Sequence, residues 1–90
     1  MHNIEISEDL HKILVRLSKK DKSLHEQVIK KINEILNSSD IEHYKNLKYA
    51  MKDCKRVHIG HFVLIFRYDK NRDAVLFDDF DHHDNIYRRR

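Results

Sequence analysis

Residues 54–68, CKRVHIGHFVLIFRY, decide the fold of this chain. From Cys54 the apolar period is two: Val57 and Ile59 alternate with Arg56 and His58, the pattern of a half-buried strand. Gly60, the only glycine, stands where a tight turn or bulge needs a residue free to take positive φ. Residues 61–68 are almost all apolar or aromatic and read as a central strand buried on both faces. Asp69-Lys70-Asn71-Arg72-Asp73 is a polar turn, and residues 74–80 form the next strand. The remainder, DHHDNIYRRR, reads as a polar C-terminal segment.

Toward the N-terminus the period changes. Residues 2–6 are short and partly alternating, with Ile4 and Ile6 on one side, and read as a brief strand. Ser7 is placed to cap a helix whose first turn carries Glu8 and Asp9, where the helix dipole favours acids. Leu10, Ile13, Leu14 and Leu17 make its apolar face. Ser23 and Glu26 have capping-box spacing for a second helix, whose stripe is Leu24, Val28, Ile32 and Ile35. Asn37-Ser38-Ser39-Asp40 ends it, because these side chains compete for backbone hydrogen bonds. Residues 41–53 read as an irregular basic segment. The order predicts one α+β domain over residues 1–90. It has two layers: an N-terminal strand, a helical hairpin, then a small, mainly antiparallel sheet. The hairpin covers one face of that sheet and leaves the other open for function.

Composition narrows the classes. The 90 residues (11.0 kDa) are 40% hydrophobic and 37% charged, with mean hydropathy −0.77. No run approaches the ~18 apolar residues that cross a bilayer. The N-terminus lacks a charged-then-apolar signal pattern, so a cytoplasmic protein without membrane attachment is expected. The single cysteine, Cys54, excludes an intramolecular disulfide framework and a multi-cysteine zinc site. Net charge is +3, unevenly spread: Lys45, Lys48, Lys52, Lys55 and Arg56 cluster before the sheet, and Arg88, Arg89 and Arg90 end the chain. Such stretches suit a polyanion, RNA above all, although a highly charged protein has a lysine-rich surface in any case.

Strand alternation places Arg56, His58, His61 and Arg67 on the open face, where His83 can join them. Basic residues from 45–55 would form its rim. RNA is cut without a metal when the 2′-hydroxyl attacks the neighbouring phosphate. That reaction needs a base, an acid and positive charge. Histidine serves as either acid or base near neutral pH, and lysine or arginine supplies the charge. The bland alternative is that eight histidines cluster somewhere by chance. A metal site competes for His58, His61 and the D-H-H-D run at 81–84, but no HExxH or paired-cysteine motif accompanies them. Neither a metal nor a cofactor is expected. Cys54, at a strand start, reads as packing.

Three stretches carry a family resemblance. YKNLKYAMKDCKRVHIG (44–60) resembles the K-x-L-x(n)-R-x-R-x-G run of the RelE/ParE superfamily of type II toxins. HFVLIFRY (61–68) is similar to that superfamily's D/N-Y-R-L-I-Y strand, and FDHHDNIY (80–87) to its closing G-H-R-x-x-V-Y. The likeness is to the RelE and YafQ-like branch and spans nearly the whole chain. It implies a RelE-like fold and an endoribonuclease that cuts mRNA in the ribosomal A site and so inhibits translation. It also implies a RelB-like antitoxin that silences the toxin, with a toxin–antitoxin heterotetramer as one assembly. By the same resemblance, Arg56 and His58 match positions holding Lys, Arg or a catalytic His. His83 matches the residue acting in proton transfer or phosphate binding, and Tyr87 the C-terminal aromatic that contacts the base. His61 matches an acidic or small polar position that is catalytic in the YafQ-like branch, and Lys45 and Lys48 the basic or histidine positions around K-x-L. Many members carry a phosphate-binding arginine where this chain has Val63. YafQ-like members also have an apolar residue there and depend on histidines. The alternatives are a ParE-like toxin that poisons DNA gyrase with the same fold and no nuclease residues, a catalytically weakened RelE homologue, and a small structural or metal-binding module with no toxin activity.

Overall fold

The computed structural model describes residues 2–46 and 54–89, apart from the side chain of Arg89. The chain runs β1 (Asn3–Ile6), α1 (Glu8–Lys20), α2 (Lys22–Leu36), a one-turn 3₁₀ helix (Ile41–His43), β2 (Cys54–Ile59), β3 (Phe62–Asp69), β4 (Ala74–His82) and α3 (His83–Arg89). Ser7 caps α1 as its sequence position predicts. Its hydroxyl accepts from Leu10 N at 3.1 Å and donates to Asp78 O at 2.6 Å, tying the helix start to the sheet. The cap of α2 differs from expectation: Asp21, not Ser23, accepts from Leu24 N at 3.1 Å. The same Asp21 ends α1 through its N–H to Leu17 O. With one residue linking the helices, Ser23 already lies inside the first turn of α2. Aspartate caps as well as serine does.

The sheet order is β1-β4-β3-β2, with β1 parallel to β4 and the other pairs antiparallel. Gly60 and His61 form a two-residue turn. Gly60 has φ +60° and His61 does not share the positive φ, which is the arrangement a right-twisted hairpin accepts. In β4 the register slips: Ile65 faces Asp79 and Phe66 faces Phe77, so Asp78 bulges out. The bulge puts Phe77 and Phe80, three apart, on the same side of the sheet. There they join Leu64, Phe66 and Val75 against Leu10, Leu14, Val28, Ile32 and Ile35 of the helices.

The other face is not open, which corrects the expectation. The C-terminal segment forms α3 and sets Ile86 on Cys54, Val63 and Ile65, all fully buried, with Tyr87 alongside. The central strand is therefore buried on both sides, as its composition predicts. One apolar anchor among Asp84, Asn85 and the arginines gives too little periodicity to announce a helix. Burying one isoleucine contributes about 1.5–3 kcal/mol, which offsets the marginal stability of two turns alone. Among the described residues no helix is long and apolar enough to cross a membrane.

Candidate active site

His58 on β2 stands opposite Val63 of β3, which stands opposite Asp81 of β4. One residue beyond β4 the chain turns into α3. The His83 N–H donates to His61 O at 2.8 Å and pins that junction to the Gly60 turn. The His83 ring is thereby brought within 5.7 Å of the His58 ring, centroid to centroid, at a 30° tilt. Tyr87, one helical turn on from His83, lies 4.6 Å from it. Arg56 Nη1 donates to His58 Nε2 at 3.1 Å. Its Nε–H is shut off from solvent and has no acceptor among the described residues. Desolvation of the ring, then the Arg56 charge, then His83, holds the His58 pKa below the ordinary histidine value. At neutral pH the His58 ring is uncharged.

The five groups expected to converge separate into three places. Arg56, His58 and His83 meet, with Tyr87. His61 stands instead with His82, their rings stacked at 6.2 Å and 21°, while His82 also meets Phe62 edge to face. His82 Nδ1 accepts from Asp84 N at 3.2 Å and so caps α3. The adjacent histidines thus do different work. Arg67 faces Cys54, four residues along β2 from His58, or ~13 Å by strand rise.

The basic rim is also rearranged. Lys55 falls on the helix side of β2, where it is buried. Its Nζ donates to Tyr44 O at 3.2 Å and Asn46 Oδ1 at 3.3 Å, with Glu42 at 3.8 Å. It tethers the preceding segment and does not face the histidines, because alternation gives the site face to its neighbour Arg56. Lys45 is exposed, and its carbonyl accepts from Arg56 N at 2.9 Å. Lys48 and Lys52 lie outside the described residues. Sequence reasoning missed Ile86, which seats the helix, and read Asp81 only as a competing metal ligand, whereas its Oδ1 accepts from His82 N and Asn85 Nδ2 at 2.7 and 3.2 Å. The four-residue spacing of Asp81 and Asn85 was the available signal for that junction. Among the described residues no three His, Cys, Asp or Glu side chains form a metal-binding group.

Comparison with known proteins identifies the family and the fold. Residues 4–87 match the family model described as ParE toxin of type II toxin-antitoxin system, parDE. A Methanocaldococcus jannaschii protein named "Putative toxin RelE4" is 50% identical over 91 aligned positions, covering 100% of this chain and 95% of that one. An uncharacterized Methanosarcina mazei protein is 42% identical over 88, covering 97% and 100%. The isolated E. coli RelE toxin superposes with a TM-score of 0.69 at 19% identity, over 99% of this chain and 98% of that one. The toxin-antitoxin complex RelBE2 of Mycobacterium tuberculosis gives 0.72 at 16% identity, over 90% of each. These two likenesses show a shared fold. With the family match spanning nearly the whole sequence and half the residues shared with one relative, the chain belongs to the RelE/ParE superfamily of type II toxin–antitoxin toxins.

Proposed function

We propose that this toxin is an endoribonuclease that cuts mRNA on the ribosome and so inhibits translation in the cytoplasm. The observation that carries the proposal is the facing pair His58 and His83, flanked by Arg56 and Tyr87. In the free protein Arg56 occupies the His58 Nε2 lone pair. A substrate phosphate draws the guanidinium to itself and frees that nitrogen. His58 then takes the proton of the 2′-hydroxyl as the 2′-oxygen bonds to phosphorus. The bond from phosphorus to the 5′-oxygen breaks, and His83 gives that oxygen a proton. Arg56 stabilises the charge gathered on the phosphorane oxygens. The products are a 2′,3′-cyclic phosphate and a 5′-hydroxyl. Tyr87 supports a base, Lys45 and the cations at 48 and 52 hold flanking phosphates, and His61 serves as a rim contact. A RelB-like antitoxin silences the toxin, in a heterotetramer or a smaller complex. The solved E. coli RelBE and M. tuberculosis RelBE2 assemblies support such a partner.

The test is induced expression followed by primer-extension mapping of mRNA ends. Growth arrest with new, discrete ends is expected, relieved by co-expressing the short acidic protein of an adjacent reading frame. A second reading comes from the ParE description of the matching family: a gyrase poison with this fold. Arrest with intact mRNA and an SOS response would establish it in place of the nuclease.

A further inference from the structure

The Asp84 carboxylate stands between the two histidines that precede it. Its Oδ1 lies 3.4 Å from His83 Nδ1 and its Oδ2 3.9 Å from His82 Nδ1. The two contacts are not alike. His82 Nδ1 already accepts from the Asp84 N–H at 3.2 Å, so it carries no proton and offers none to the carboxylate. The His82 proton therefore sits on Nε2. His83 Nδ1 has Asp84 Oδ1 as its hydrogen-bond partner. A carboxylate only accepts, so here Nδ1 carries the proton and donates it. One residue thus holds neighbouring histidines in opposite tautomers, its N–H serving the first and its oxygen the second. Among the described residues Asp84 has no lysine or arginine partner to compete for that oxygen. His83 is fixed on other sides as well: its backbone N–H donates to His61 O at 2.8 Å, and Tyr87 lies 4.6 Å from its ring.

We infer that Asp84 is a positioning residue for RNA cleavage: it keeps a proton on His83 Nδ1 and so leaves Nε2, at the tip of the ring, to serve the departing 5′-oxygen. The inference rests on the nuclease reading for the reaction. The charged His83 ring carries a proton on each nitrogen. As the bond from phosphorus to the 5′-oxygen breaks, the Nε2–H bond breaks too, and its proton bonds to that oxygen. The ring left behind is neutral with its proton on Nδ1, the form that Asp84 holds. A free neutral imidazole favours the proton on Nε2, so without Asp84 the ring would prefer the wrong nitrogen. A contact of 3.4 Å is long for a charge-assisted hydrogen bond. Such contacts are often long in a free enzyme and tighten once substrate is bound.

The first measurement needs no RNA. The ring-nitrogen shifts of ¹⁵N-histidine-labelled protein, read at about pH 9 where imidazole is neutral, report which nitrogen carries the proton. His83 should be the Nδ1–H tautomer and His82 the Nε2–H tautomer. In Asp84→Ala and Asp84→Asn the His83 ring should turn to Nε2–H, with amide exchange in α3 as slow as in wild type. His83 as Nε2–H in the wild type would overturn the inference. Faster exchange in α3 with the tautomer unchanged would also overturn it and leave Asp84 a purely structural residue of the helix. The second measurement is cleavage. Asp84→Asn should lower kcat about ten- to hundredfold with KM unchanged, and should cost nothing further in the His83→Ala background, because it acts through that ring. A further loss there of the same size would overturn the inference while leaving the histidine pair intact. A wild-type protein with the Nδ1–H tautomer in place that cuts no RNA would sink the nuclease reading instead.

Discussion

His58 and His83 differ in what surrounds them, and the proposed division of their work follows His58. His58 is desolvated and faces Arg56, so its pKa lies below the ordinary histidine value and it is neutral at pH 7. Cleavage that needs this base should be full at neutral pH and fall only as pH drops past that lowered value. Arg56→Gln removes the second cause of the shift, so the His58 titration followed by NMR should move up toward ~6.5. A titration that stays put would contradict the contact. His83→Ala should lower cleavage about 10²–10⁴-fold, the range for a lost general acid or base. His82→Ala should cost much less, because its ring faces His61 and its nitrogen only caps α3. Assays of the two purified variants at matched thermal stability decide between them, and a larger loss for His82→Ala would reverse the assignment.

The element that makes the site is α3. Ile86 touches no reacting group, yet it seats the turn that carries both His83 and Tyr87. Ile86→Ala removes the anchor of a seven-residue helix and leaves the main core beneath α1 and α2 intact. Cleavage should fall nearly as far as in His83→Ala. Hydrogen exchange should speed up in α3, while the midpoint of thermal unfolding moves only a few degrees. Unchanged exchange in α3 would refute this role. The strands, the helical hairpin, Ser7 and the Gly60 turn were legible in the sequence, because period and turn chemistry repeat over several residues. α3 was not, since one isoleucine and one tyrosine carry its whole apolar face. The bulge at Asp78 was hidden as well: Phe77 and Phe80 look out of phase until one residue is looped out. Within the site, alternation correctly joined Arg56 to His58. It could not place His61 and Arg67, because shared facing says nothing of distance along a strand.

Across the molecule, the edge strand β1 is held by a polar clasp. The two ring nitrogens of His2 meet Asp73 and, at 2.7 Å, Ser38 O, while Tyr68 OH donates to Asp73 at 2.8 Å. The Asp73 contact first, then Ser38, raises the His2 pKa, and His2 first lowers that of Asp73. The stability His2 contributes is therefore complete below its unfolded value near 6.5 and lost as pH rises through the higher folded value. The Asp73 share is present above ~3.8 and lost as pH falls through its lower folded value. Thermal stability should peak between these limits, and His2→Gln should flatten the alkaline side of the profile. An unchanged profile would refute the clasp.

RNA chemistry in the intact cell decides between a nuclease and an inhibitory binder on this fold. After induction of the wild-type toxin and of His58→Ala and His83→Ala, the newly formed mRNA ends should be typed by ligation specific for 5′-hydroxyl or 5′-phosphate termini. The histidine pair requires 5′-hydroxyl ends with 2′,3′-cyclic phosphates in wild type and few such ends in either variant. Intact mRNA, 5′-phosphate ends, or undiminished cleavage in both variants would contradict it.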